Sequence, residues 1–320
     1  MTGAARRFTA GLLAFALAAG AAWAADPSPL ATGSAKFLGN VLTAQHDPLF
    51  PNYWNQVTPE NAGKWLSVEA TRGTMEWGVL DLIFDAARRH GMPVKQHTFV
   101  WGQQEPRWVA GLPPDEQRTA VDGWLRAFAE RYPDVALIDV VNEPLHAPPS
   151  YAAALGGAGG TGWDWVVWSF ERARAHFPDA ILLVNEYNVL CCAPNRARYA
   201  ELVALLLDRG LIDGIGVQAH GLERLDPAVI AANLDALAQL GLPIYVSELD
   251  LETADDANQR AMYERVFPVL WEHPAVAGVT LWGYRAGRIW KRNAYLVDWF
   301  DEERPALQWL VGYLRGDADE

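Results

Sequence analysis

Eight short apolar stretches rich in β-branched residues alternate with seven helix-like ones along this chain of 320 residues, and that alternation leaves few folds open. The strand-like stretches are 37–42, 55–58, 94–101, 137–142, 181–185, 215–220, 244–248 and 276–282. The helix-like ones are 79–90, 115–132, 163–176, 196–208, 227–240, 256–271 and 305–314, with Gly91, Gly210 and Gly241 placed as helix stops. Repeated strand–helix units build a parallel sheet, and eight of them are expected to close as a (β/α)8 TIM barrel of the α/β class. Hydrophobic residues are 51% of the chain and charged residues 20%, enough apolar material to fill a barrel and its helical jacket. No repeat, low-complexity tract or linker divides residues 25–320, so a single domain is expected there.

The chemistry of such a barrel sits at the C-terminal ends of its strands, and the polar residues of this chain gather there. His97 and Trp101 close the third stretch, Asn142 and Glu143 the fourth, Asn185 and Glu186 the fifth. Gln218 and His220 close the sixth, Glu248 and Asp250 the seventh, Trp282 the eighth. Two of these stretches, Ile138-Asp139-Val140-Val141-Asn142-Glu143 and Ile244-Tyr245-Val246-Ser247-Glu248, are buried-strand patterns that stop in a glutamate. An isolated carboxylate at the end of a buried strand is expensive, so a folding core has no use for it. A strand-end glutamate can be a salt-bridge partner or a helix cap. Two of them, one preceded by Asn142 and the other followed two residues on by Asp250, point instead to a convergent pair. Paired carboxylates flanking a bond are the machinery of glycoside hydrolysis.

The formal net charge of −13 argues against nucleic acid and against anionic membrane surfaces as partners, and suits a neutral polymer. Arg6-Arg7, the apolar stretch 8–21 and Ala22-Trp23-Ala24 read as a secretory signal peptide over residues 1–24, too short in its apolar part to span a bilayer. The expected destination is therefore extracellular or periplasmic. The two cysteines, Cys191 and Cys192, are adjacent, which excludes a structural zinc site. A bond between neighbours closes a small ring, so two thiols or a bridge are both open, and export to an oxidising compartment favours the bridge.

The chain resembles glycoside hydrolase family 10, a group dominated by endo-β-1,4-xylanases. The resemblance is carried by Asn55-Gln56-Val57-Thr58-Pro59-Glu60-Asn61 with Lys64-Trp65, by His97-Thr98-Phe99-Val100-Trp101 and by Asp139-Val140-Val141-Asn142-Glu143. It continues in Asn185-Glu186-Tyr187-Asn188, Gly214-Ile215-Gly216-Val217-Gln218-Ala219-His220, Ser247-Glu248-Leu249-Asp250 and Thr280-Leu281-Trp282-Gly283, all in the family's order. The resemblance implies a retaining hydrolase with Glu143 as general acid/base and Glu248 as nucleophile, needing neither cofactor nor metal. It implies that His220, oriented by Asp250, keeps Glu248 charged and that Asn142 holds a sugar 2-hydroxyl. By the same resemblance Glu60, Asn61, Lys64, His97 and Gln104 bind the non-reducing side of the cleft, and Asn185 and Gln218 belong to the same constellation. Of the 15 tryptophans most are expected to pack the core, with Trp101, Trp282 and Trp290 lining the site.

Four positions depart from the family pattern. Gly102 stands where a His usually follows Trp101, Ala62-Gly63 where Glu-Met is usual, and Glu186 where Asp is usual; the loop Gly283-Tyr284-Arg285-Ala286-Gly287-Arg288 lacks its usual acidic residue. Losing the His side chain at 102 is expected to open space beside Trp101. The loop 145–161, rich in Ala, Gly and Pro, reads either as a cover for the leaving-group side of the cleft or as a flexible surface insertion. The expected partner is xylan or a xylo-oligosaccharide acted on by a monomer. A relative of this family cleaving another β-linked glucan or a plant glycoside is the alternative within the class, and a non-catalytic carbohydrate-binding protein the alternative outside it.

Overall fold

The computed structural model describes residues 28–43 and 47–316, so the expected signal peptide lies outside the described residues. Eight strands form one parallel sheet: β1 (Phe37–Leu42), β2 (Gln56–Pro59), β3 (Lys95–Val100), β4 (Leu137–Asn142), β5 (Ile181–Glu186), β6 (Gly214–Val217), β7 (Ile244–Leu249) and β8 (Val276–Leu281). The ladder runs β2-β1-β8-β7-β6-β5-β4-β3. It closes through a parallel bridge between Val57 and Val94, with Val57 N–H donating to the Pro93 carbonyl at 3.0 Å. The expected (β/α)8 barrel is what the chain forms. Its strands are buried almost throughout because helices cover one face and the barrel interior the other.

The seven longer helices fall where the sequence placed them, to within a few residues at their ends. Four of them begin with proline in the first two positions, where the missing N–H has no intrahelical partner to lose. The stops Gly91, Gly210 and Gly241 all take positive φ. Two four-residue helices, Phe50–Tyr53 and Trp65–Val68, are additions that so short a pattern cannot announce. The sixth strand is shorter than expected. It ends at Val217 because Ala219 turns into the left-handed region (φ 65°), and His220 rejoins the sheet as a single bridge to Asp250.

Between sheet and helices lies an aromatic layer that accounts for several tryptophans. Trp65 and Trp77 stack on opposite sides of Trp124 at 6.2 and 5.9 Å, and Phe99 meets Trp124 edge-on at 5.8 Å. Each fully buried ring of this size contributes roughly 1.5–3 kcal/mol relative to exposure. This layer anchors Trp65, which immediately follows Lys64, and so ties the β2 loop to the jacket.

The loop 145–161 is neither loose nor confined to a leaving-group side. Tyr151 and Leu155 are each 1% exposed, and Tyr151 packs edge-on against Trp65 at 5.8 Å. The loop thereby folds back toward β3, and there it corrects the expectation for Gly102. A Cβ at 102 falls closer than van der Waals contact to the carbonyl oxygens of Ala147 and Pro148, while Gly102 N–H donates to the Ala147 carbonyl at 2.9 Å. The place of the missing side chain is filled with backbone, so no space opens beside Trp101. Gly63 follows the same logic: its missing side chain is replaced by that of Gln96, whose amide donates to the Gly63 carbonyl.

Gly102→His should therefore expel the 145–161 loop instead of restoring a family contact. We expect a loss of about 1–3 kcal/mol in unfolding free energy, the usual cost of overpacking, together with new protease cleavage within 145–161. Unchanged stability and unchanged cleavage would show that the loop does not need Gly102.

Candidate active site

Parallel pairing aligns the strand ends, and this brings the expected residues to one level. Asn142 of β4 is in register with Asn185 of β5, which is in register with Gly216 of β6. Glu248 lies near the end of β7 and is 4% exposed, while Glu143 follows β4 and is 9% exposed. A chain of amide side chains links the two carboxylates. Gln218 Nε2 donates to Glu143 Oε1 (3.1 Å) and to Asn142 Oδ1 (3.2 Å). Asn185 Nδ2 donates to the same Asn142 oxygen (2.9 Å) and to Glu248 Oε1 (2.7 Å), and Ser247 fixes Asn185 through its Oδ1 (2.6 Å). Since Asn142 takes both bonds on its oxygen, its amide nitrogen is left to face the cleft.

Glu248 is surrounded by positive charge. His220 Nε2 lies 3.2 Å from Glu248 Oε2, and His97 Nδ1 lies 4.0 Å from Oε1. Burial works to protonate Glu248, but the hydrogen bond from His220 and the charges of His97, His220 and Lys95 outweigh it and hold its pKa down to about 2. His220 is the complement. Burial works against its charge, yet contact with Asp250 and Glu248 raises its pKa to about 9. His220 Nδ1 sits 3.0 Å from Asp250 Oδ2. Asp250 is itself held by Trp290 Nε1 (2.8 Å) and Lys291 Nζ (2.7 Å), and the Trp290 ring leans on the His220 imidazole at 5.0 Å.

Glu143 has different company. It sits in the left-handed region (φ 54°), a conformation that costs a non-glycine residue about 1–3 kcal/mol and must be imposed by its surroundings. Trp101 Nε1 donates to its Oε2 at 2.9 Å, so both of its side-chain partners, Trp101 and Gln218, are uncharged. Lys64 Nζ lies 4.8 Å from the centre of the Trp101 ring and donates to Asn61 Oδ1 (3.0 Å) and Gln104 Oε1 (2.8 Å). Burial lowers the Lys64 pKa against the pull of Glu248, Glu60 and Glu143, and burial raises that of Glu60 against Lys64 and His97. Trp282 is 5% exposed and meets His97 edge-on at 5.0 Å, whereas Trp290 is 55% exposed and stands at the rim.

The structure thus gathers all fifteen singled-out residues around the barrel mouth. It also shows residues that sequence reasoning passed over. Lys95 and Asp139 lie fully inside the barrel beneath the carboxylates: Asp139 Oδ2 is 2.9 Å from His97 Nδ1 and 3.1 Å from Lys95 Nζ. The available signal was spacing, because Lys95 precedes His97 by two residues and so shares its inward face. Lys291 was hidden behind its neighbour Trp290. The Cys191–Cys192 bridge is formed, on the loop after β5 that also carries Asn188. Among the described residues no group of three or more His, Cys, Asp or Glu side chains is placed to hold a metal ion, and no helix is long and apolar enough to cross a membrane.

Comparison with known proteins agrees with this geometry. Residues 23–313 match the family model described as glycosyl hydrolase family 10. Over 283 residues the chain is 41% identical to endo-1,4-beta-xylanase B of Cellvibrio japonicus, covering 86% of this chain but only 45% of that longer protein. It is 30% identical over 275 residues to endo-1,4-beta-xylanase 3 of Hypocrea jecorina, covering 81% of this chain and 75% of that one. The solved structure of a GH10 protein from Paenibacillus barcinonensis superposes with a TM-score of 0.81 at 25% identity, covering 89% of this chain and 96% of the other. With the family model spanning most of its length, the chain belongs to glycosyl hydrolase family 10.

Proposed function

We propose that the chain is a secreted, monomeric, retaining endo-1,4-β-xylanase that hydrolyses internal bonds of xylan. The observation that carries this reading is the contrast between two glutamates at one barrel mouth: Glu248 is held ionised by His220 and the charges beneath it, while Glu143 is held by uncharged donors. A nucleophile must stay charged, and an acid/base must gain and lose a proton within each cycle.

The steps follow. Glu248 attacks the anomeric carbon as Glu143 gives its proton to the departing sugar oxygen, and a covalent glycosyl-enzyme remains. Glu143, now ionised, takes a proton from water, whose oxygen attacks the same carbon and releases Glu248. Retaining geometry asks for carboxyls about 5–5.5 Å apart, with no water between them in the first step. The free amide nitrogen of Asn142 suits the sugar 2-hydroxyl, a contact that strengthens in the transition state. Glu60, Asn61, Lys64, His97 and Gln104 form the polar wall on the β2–β3 side.

Xylose lacks the hydroxymethyl group that glucose carries at C5. By the family resemblance Trp282 and Trp290 pack against that carbon, where they accept the one sugar and clash with the other, so selection works through repulsion. The filled space at Gly102 removes the feature that favoured a β-glucan substrate. The names of the curated relatives support xylan as the polymer. Residues 1–24 supply the export signal in this account, and residues 25–320 the catalytic domain.

Three outcomes test it. Glu143→Ala should lower kcat/KM on unactivated xylo-oligosaccharides by at least about a hundredfold while sparing kcat/KM on aryl xylobiosides with good leaving groups, whose departure needs little protonation. On the aryl substrates kcat should still fall, because water is no longer deprotonated. Equal losses in kcat/KM would count against the acid/base role. Trp290→Ala should narrow the preference for aryl xylobioside over aryl cellobioside, and an unchanged ratio would move the selection elsewhere.

The third outcome concerns pH. The folded pKa of His220, about 9, lies above its ordinary 6.5, so its contribution to stability is complete below 6.5 and is lost as pH rises through about 9. The folded pKa of Glu248, about 2, lies below its ordinary 4.5, so its contribution is complete above 4.5 and is lost as pH falls through about 2. His220→Asn should flatten the alkaline loss of unfolding free energy and move the acid limb of kcat/KM to higher pH. Denaturant unfolding across the alkaline range and a pH–rate profile would reveal a contrary result as no change in either.

A further inference from the structure

Glu186 ends β5 with no exposed surface, and no step above uses its carboxylate. It is nonetheless fully engaged. Its Oε2 accepts from the backbone N–H of Leu145 at 2.8 Å; its Oε1 accepts from the N–H of Tyr187 at 2.9 Å and lies 2.9 Å from His146 Nδ1. Leu145 and His146 are the second and third residues after Glu143. The turn they belong to is the one that holds Glu143 at positive φ. Glu143 N–H donates to the Asn185 carbonyl at 2.8 Å, and the Glu143 carbonyl accepts from Ala147 N–H at 2.8 Å and His146 N–H at 3.1 Å. The residue that carries Glu143 is thus tied to Asn185, and the turn after it to the very next residue, Glu186. His146 is exposed, and its ring stacks on Tyr187 with centroids 4.1 Å apart, which closes the arrangement back onto β5.

We propose that Glu186 and His146 form a positioning pair that clamps the turn 143–147 to β5 and so sets the direction of the Glu143 carboxyl; this rests on the acid/base role given to Glu143 above. Length matters to the clamp. A glutamate reaches from the end of β5 to Leu145 N–H and His146 together, and the aspartate usual at this place is one methylene shorter. Neither residue touches substrate in this scheme. Both act through Glu143, and their loss should therefore be felt only where proton transfer limits the rate.

The test compares Glu186→Gln, His146→Ala and the double variant on two substrates, with Glu143→Ala measured alongside. Gln keeps the volume of Glu186 but sets an NH2 where an acceptor is needed. For Glu186→Gln we expect kcat/KM on unactivated xylo-oligosaccharides to fall about tenfold, through kcat and with KM nearly unchanged, and kcat/KM on aryl xylobiosides with good leaving groups to fall less than about threefold. His146→Ala should show the same selectivity, more weakly, and the double variant should be no worse than Glu186→Gln, because the two residues act as one unit. Equal losses on both substrates, a change confined to KM, or additive effects would overturn the clamp. Should Glu186→Gln fail to fold, exposed His146 decides the matter alone. If Glu143→Ala is leaving-group selective and the clamp variants are not, only this inference falls; if Glu143→Ala is itself unselective, the acid/base assignment falls first.

Discussion

Everything at the mouth of this barrel follows from keeping one buried carboxylate charged. Glu248 is 4% exposed, and an ion so placed costs several kcal/mol unless charges and hydrogen bonds offset the loss of water. The offset comes from many strands at once: His220 after β6, Asn185 on β5, His97 and Lys95 on β3. His220 in turn keeps its charge through Asp250 after β7, which Lys291 and Trp290 hold in place. A set drawn from so many strands has its geometry only when the whole parallel ladder is in register. Fold and site are one constraint seen from two ends.

The same residue type serves two tasks because its surroundings differ. Cations and amides face Glu248. Glu143 sits on a tight turn and meets an indole N–H and an amide. A carboxylate held charged beside one held only by uncharged donors suits a division of labour between nucleophile and acid/base. The amide chain through Gln218, Asn142 and Asn185 links the two in space through uncharged groups.

The barrel itself was legible because its signals are local: an apolar run, a helix-like stretch, a glycine at its stop. The carboxylates were legible for the opposite reason, since a charge at the end of a buried strand contradicts its local pattern. What escaped were partnerships between distant segments. Lys95 and Asp139 look like ordinary interruptions in two strands until the barrel closes and sets them against His97. Gly102 was misread because a sequence shows that a side chain is missing but not what has moved into its place, here the backbone of Ala147 and Pro148. Ala219 cut β6 short through a left-handed turn that no proline or glycine announced.

The central claim, that Glu248 is the charged group which attacks the sugar while Glu143 manages the proton, is tested most directly by trapping. A 2-deoxy-2-fluoro xylobioside with a good leaving group slows turnover of the covalent intermediate, and digestion followed by mass spectrometry identifies the residue that carries the sugar. The account predicts one stoichiometric label, on the peptide containing Ser247-Glu248-Leu249-Asp250 and on Glu248 itself. A label on Glu143 or on any other carboxylate, or rapid inactivation with no covalent label, would contradict it.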